Sequence, residues 1–211
     1  MMHYRTLLFA LLLLPFSGSA QSPFGAGIVV GINAAQIQGD DSAGFNRLGV
    51  RAGLRGFARL SEKTELGFDL LYSQRGSTTE LVPNNNFLRF VIHLDYVEVP
   101  IWFAFKDGLS PEGYYRWKAL GGISYGRLFN ARIVDHPTFP EDQIDNFNSN
   151  DLSLILGITY QASKKFSMGI QYTRSVTPLY NNRKFLNNVG LPIYRYRLWG
   201  YLLSFQGVFE F

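Results

Sequence analysis

The chain has 211 residues, room for one domain, and its Cys 0 excludes disulfides, thiol catalysis, cysteine–metal centres and lipidation at an N-terminal cysteine. Lys+Arg 20 against Asp+Glu 16 gives a net charge of +4, which falls to +3 (19 minus 16) once residues 1–20, with Arg5, are set aside. That surplus is small and forms no block, so nucleic acid is not an expected partner.

In chain order, Arg5 comes first, then the apolar run from Thr6 to Phe16, then Gly18-Ser19-Ala20. A cation, a short apolar stretch and a small-x-small site are the three parts of an export signal, so residues 1–20 are expected to be cleaved before Gln21. The run is too short for a membrane anchor, which takes about 20 apolar residues.

From Phe24 the chain alternates with a period of two, the mark of a β-strand with one apolar face. Phe24, Ala26, Ile28, Val30 and Ile32 face one way in a first strand ending near Ala34. A polar loop with Gly39-Asp40-Asp41 and Gly44 follows. The second strand, about Arg47 to Leu60, alternates Leu48, Val50, Ala52 and Leu54 with Arg47, Gly49, Arg51, Gly53 and Arg55. After Ser61-Glu62-Lys63 comes a third, with Leu66, Phe68, Leu70 and Tyr72 opposite Glu65, Gly67, Asp69, Ser73 and Arg75. A long segment with Pro83 and three Asn leads to a fourth strand, about His93 to Phe105. Here Val97, Val99, Ile101 and Phe103 oppose Tyr96, Glu98 and Trp102, and Pro100 predicts a bulge or strand end.

The fifth strand, about Tyr114 to Ala131, sets Tyr115, Trp117, Ala119, Ile123 and Tyr125 against Arg116, Lys118, Gly122 and Ser124. The longest loop, about Arg132 to Asn150, is acidic. Leu152 to Tyr160 and Phe166 to Tyr172 mark strands six and seven around the turn Ser163-Lys164-Lys165, and a loop of about Pro178 to Pro192 precedes the eighth. That last strand keeps its period to the end: Trp199, Tyr201, Phe205, Phe209 and Phe211 share one face, and Ser204, Gln206 and Glu210 the other.

Eight strands joined alternately by long and short connections match a bacterial outer-membrane barrel, with short periplasmic turns and longer outer loops. The expected fold is therefore all-β, a single eight-stranded antiparallel transmembrane β-barrel over residues 21–211 with four extracellular loops. A soluble eight-stranded barrel would reverse the two faces. Two features decide against it: aromatics recur on the apolar face near strand ends (Tyr72, Tyr115, Tyr125, Tyr160, Phe166, Tyr172), and the other face mixes glycine with charge. Aromatic content of 16% with only 17% charged residues suits a lipid-facing band flanked by aromatic girdles.

So narrow a barrel is filled by its own side chains. The inward set contains Arg51, Arg55, Glu65, Asp69, Arg75, Glu98, Arg116 and Lys118. Buried charges need partners, so these are expected to form a structural network that plugs the lumen rather than a proton or ion path.

Three segments carry a family resemblance: Gly31-Ile32-Asn33 with Gly39-Asp40-Asp41, Leu70-Leu71-Tyr72-Ser73-Gln74-Arg75-Gly76, and Leu94-Asp95-Tyr96-Val97-Glu98-Val99-Pro100. With Gly121-Gly122 and the closing Phe209-Glu210-Phe211, nearly the whole chain after the signal resembles the PorT-type outer-membrane β-barrel proteins of Bacteroidota. The resemblance implies an eight-stranded outer-membrane barrel, with some relatives tied to the type IX secretion and gliding apparatus. It brings no catalytic residues and no cofactor.

Enzymatic chemistry needs a base and a nucleophile or activated water. His93 and Asp95, two apart on one strand face, are a candidate base and orienter, against a plain reading as polar residues at the membrane rim. His136, before Pro137, is the only other histidine after the signal. Asp135, Glu141, Asp142, Asp145 and Asp151 are candidate Ca²⁺ ligands, but their spacing is not that of a calcium loop, and a solvated loop facing lipopolysaccharide is the default. Trp102 and Trp117 read as membrane anchors or lumen filler. The expectation is a non-enzymatic structural or interaction barrel in the outer membrane, in contact with lipid and lipopolysaccharide and, through the resemblance, with secretion-machinery proteins. A small barrel enzyme acting on lipid or peptide, and a narrow channel, are the alternatives.

Overall fold

The structure, a computed structural model, describes residues 23–39, 44–78, 91–134, 147–180, 189–191 and 197–211. The export signal, Asp40 and Asp41, Pro83 with the three Asn, Asp135, His136, Glu141, Asp142, Asp145 and Pro192 lie outside the described residues.

Eight strands follow in order: β1 (Phe24–Gln38), β2 (Arg47–Arg59), β3 (Thr64–Thr78), β4 (Val91–Leu109), β5 (Tyr115–Val134), β6 (Asn150–Gln161), β7 (Phe166–Ser175) and β8 (Trp199–Glu210). Each pairs antiparallel with its neighbours, and β8 returns to β1, so the sheet is a closed barrel without edges. The closing ladder runs from Gly27↔Glu210 to Gln38↔Trp199, and the Phe211 N–H donates to the Ala26 carbonyl at 3.0 Å.

Which face points out is settled by burial. Leu54 and Leu156 are 60% and 65% exposed, while Arg51 and Asp69 are 0% exposed. A wall that is apolar outside and ionic inside is stable only where the outside meets lipid. Phe205, Phe209 and Phe211 lie exposed on the outer face, with Tyr201 half-buried beside them, and Ser204, Gln206 and Glu210 line the lumen.

Strands β1, β3, β4 and β5 run further than their alternation predicts. The ladder continues through Thr78↔Val91 and Val91↔Val134, so β3 to β5 rise above the Tyr72 level. The extension adds Ile92, which with Leu94 and Tyr96 joins Ile37, Phe147, Leu179, Tyr180 and Leu198 in one buried cluster. Bridges Phe147↔Tyr180 and Tyr180↔Leu198 extend the β6–β8 side to meet it, forming an apolar cap across the outer mouth. Lower down, Phe57, Trp102, Ala104, Leu120 and Ile155 make a second lumenal cluster.

Pro100 neither bulges nor ends β4. The β3–β4 register is the same on both sides of it (Phe68↔Ile101, Leu71↔Glu98), and the ladder skips only the intervening positions, as a missing N–H requires. The bulge lies instead between Asp95 and Tyr96, where Phe129 is the extra residue on β5. Trp102 belongs to the lumen at 1% exposure, whereas Trp117 faces out at 50%. Gly67 makes room for Trp102, because a Cβ there would come within 2.3 Å of its indole.

Candidate functional site

Inside the barrel the charged side chains of β2 to β6 and of β8 sort into three tiers. In the tier beneath the apolar cap, the Arg51 Nη1 donates to Glu98 Oε2 at 3.1 Å. Arg75 donates through Nε to the other Glu98 oxygen at 2.6 Å and through Nη1 to Asp151 at 2.6 Å. Its guanidinium also stacks 4.6 Å from the Tyr96 ring. Asp151 accepts further bonds from the hydroxyls of Ser153 (2.8 Å) and Thr177 (3.1 Å).

The middle tier is a fork-to-fork pair, Arg55 on Asp69, with both bonds at 2.8 Å. The Trp102 Nε1–H donates to the same carboxylate at 3.1 Å while its ring lies 4.8 Å from the Arg55 guanidinium. In the lowest tier, Glu65 takes Lys118 at 2.7 Å and Lys106 at 2.9 Å, and Lys118 lies 3.6 Å from Glu210. Five cations (Arg51, Arg55, Arg75, Lys106, Lys118) thus face five carboxylates (Glu65, Asp69, Glu98, Asp151, Glu210).

Of the eight lumenal residues named from the sequence, seven are buried in these tiers. Arg116 is not: it shares the Lys118 face but lies one step nearer the rim, exposed, and among the described residues it makes no ion pair. Asp151 is corrected too. It is the second residue of β6, with its side chain inside and held by Arg75, and is no member of an acidic outer loop. Glu210 and Lys106 were missed as partners, although the alternation of β8 and β4 places both on the polar face.

Two of the three segments that carry the resemblance are neighbours. Leu70 to Gly76 on β3 lies beside Leu94 to Pro100 on β4, and the pair is joined on both faces of the wall. Inside, Arg75 grips Glu98 and Tyr96. Outside, Asp95 accepts from Tyr72 (3.1 Å), Gln74 (3.3 Å) and Asn130 (2.7 Å), which leaves it buried on an outward-facing row. Gly76 ends the segment at φ 142°, where a Cβ would lie 1.9 Å from the Ile92 carbonyl oxygen.

This clasp dissolves the candidate catalytic pair. Asp95 bonds to Tyr72, Gln74 and Asn130, while the His93 Nδ1 sits 2.5 Å from Arg47. His93 thus meets Arg47, and the Asp95 carboxylate is taken by β3 and β5 side chains. Among the described residues, no group of three or more acids and histidines is arranged to hold a metal.

Residues 17–181 match the family model for the outer membrane protein beta-barrel domain. Among solved structures, neisserial surface protein A is similar at 12% identity and a TM-score of 0.49, covering 90% of this chain and 98% of that one. Ail of Yersinia pestis, crystallised with the heparin analogue sucrose octasulfate, is similar at 10% identity and 0.48, covering 89% and 99%. OprG of Pseudomonas aeruginosa gives 12% and 0.36, covering 89% and 94%. No curated protein matches the chain. The closed eight-stranded antiparallel barrel, its reversed burial and a family match over most of its length agree: the chain belongs to the outer membrane protein beta-barrel domain family and is a protein of the bacterial outer membrane.

Proposed function

We propose that this is a non-enzymatic outer-membrane barrel of PorT type, a structural or interaction protein that docks to a type IX secretion assembly. One observation carries the reading: the lumen is filled by charge-balanced ion pairs beneath an apolar cap. Such a filling favours neither an ion path nor an open substrate site, and the one histidine–carboxylate pair expected from the sequence has separate partners. The working surfaces are then the outer loops and the periplasmic turns. The lumenal network serves as a plug that stiffens the scaffold presenting them. The PorT-like segments support the reading because they build the clasp between β3 and β4. The rest of its surroundings is lipid and lipopolysaccharide, and the mature chain begins at Gln21.

The test is a tagged pull-down after in-cell cross-linking, from gently solubilised outer membranes of the native host. Reproducible recovery of secretion-machinery subunits is the expected result. Recovery of lipopolysaccharide and general barrel-insertion machinery alone would overturn docking and leave a free-standing barrel. The mass of the purified N-terminal peptide checks cleavage before Gln21.

A further inference from the structure

The lipid-facing wall carries two apolar grooves in its periplasmic half, one above the β6–β7 turn and one above the β2–β3 turn. The first, of about 580 Å³, is walled by Trp117, Tyr160, Phe166, Met168, Ile170 and Phe205. Its floor is Gly207, which stands on the outward row between Phe205 and Phe209; the Phe166 ring edge flanks it, 3.3 Å from where a Cβ would lie. The second, of about 430 Å³, lies over Gly56 and Gly67 beside Phe24 and Phe68. A notch in a wall touches an inserted hydrocarbon chain on three sides, so it gains more dispersion contact than a flat wall gives.

The two turns beneath the grooves share one construction. The Ser61 hydroxyl accepts from the Thr64 N–H at 3.1 Å and the Lys63 N–H at 3.2 Å; the Ser163 hydroxyl accepts from Phe166 at 3.2 Å and Lys165 at 3.4 Å. They differ in charge. The β2–β3 turn reads Ser61-Glu62-Lys63, neutral, with Lys63 lying 3.6 Å from Asp107. The β6–β7 turn reads Ser163-Lys164-Lys165, doubly cationic, and among the described residues neither lysine has an ion-pair partner. Lys165 directly precedes Phe166 in the groove wall, and a lysine stem can lie along apolar surface while its ammonium reaches the headgroup level. Trp117 and Tyr160, edge to face at 5.0 Å, stand where interfacial aromatics anchor a barrel.

We propose that the β6–β7 groove is a binding site for an anionic glycerophospholipid. One acyl chain lies over Gly207 between Phe166, Met168 and Phe205, and the phosphate is held at the turn by Lys165. Lys164 lines the periplasmic mouth of the lumen with Gln161 and Glu210. The β2–β3 groove, with its neutral turn, takes chains without regard to headgroup. This goes beyond the docking reading and is tested on the purified barrel alone, so either can fail without the other.

The test uses tryptophan quenching by chain-brominated lipids in vesicles of phosphatidylcholine and phosphatidylglycerol, brominating one and then the other. Trp102 is inside the lumen and Trp199 begins β8 at the opposite end, so the difference between parent and Trp117→Phe isolates the groove. At low salt, the expected preference at Trp117 is about fivefold for phosphatidylglycerol, the factor that corresponds to about 1 kcal/mol for one cation near an anionic headgroup. The pair Lys164→Gln and Lys165→Gln should bring it to parity, and salt should weaken it. Gly207→Leu should lower quenching by both lipids by filling the notch. Should the tryptophan or glycine variants fail to insert, comparing total quenching of the parent with that of the lysine variant still decides. A parent without preference, or a preference that survives loss of both lysines, overturns the site.

Discussion

Glu98 receives two arginines, so its loss is unlike the loss of either donor. Glu98→Ala leaves Arg51 with no carboxylate at hydrogen-bond distance and Arg75 with Asp151 only. Stranding a buried cation costs about 3–5 kcal/mol, so thermal unfolding in detergent should shift well down; an unchanged melt removes Glu98 from the network. Deleting Arg51 together with Glu98 keeps the lumen neutral and leaves the Arg75–Asp151 pair intact. The double variant should therefore be more stable than Glu98→Ala alone, a coupling between contacting groups that the full mutant cycle measures. Arg116→Ala is the contrast: an exposed rim residue, expected to change stability by no more than about 0.5 kcal/mol. A period of two reveals which side of a strand a residue takes, and Arg116 has the same side as Lys118. It does not reveal height along the barrel axis, and height separates the buried lysine from the exposed arginine.

At the scale of the strand, the sequence was readable wherever side chains alternate and opaque wherever backbone geometry decides. All eight strands, their order and the reversed faces follow from alternation, because a strand between lipid and lumen has two environments and no third. The extensions of β3 to β5 do not, since Val91 and Ile92, both buried, break the alternation, and Ile92 is held by the cap residues Phe147, Tyr180 and Leu198 from distant parts of the chain. Nor does the bulge at Phe129, which moves the outward row by one residue so that Asn130 reaches Asp95. Pairing across strands was equally hidden; Arg75 and Asp151 are joined by a closed sheet, not by spacing. The outward rows allow a direct test. Leu156→Arg on β6 replaces an exposed leucine on the lipid face, where an arginine near the bilayer midplane costs about 2–4 kcal/mol. Denaturant unfolding from lipid vesicles should register that loss. A variant as stable as the parent would mean that this face of β6 does not meet hydrocarbon.

For the whole molecule, the arrangement of cap and ion pairs matters more than either part. The apolar cluster under the outer mouth excludes water, and the charge tiers below it fill the section with side chains held in pairs. The two barriers stand in series along one axis, so removing one leaves the other in the path. Reconstituted in planar bilayers, the parent should give no stepwise conductance. Leu94→Ala with Tyr180→Ala thins the cap but leaves Arg51, Arg75 and Glu98 across the lumen, and should also stay silent. Arg51→Ala with Glu98→Ala thins the ionic tier beneath an intact cap, with the same expected silence. Combining all four should still give no steps, in protein whose electrophoretic mobility on heating shows that the barrel has folded, because the Arg55–Asp69 pair with Trp102 and the cluster of Phe57, Leu120 and Ile155 fill the section below. Steady steps from the parent would refute the plug and revive a narrow channel. Steps from the cap variant alone would mean that the ion pairs yield to solvent and that the cap is the closure.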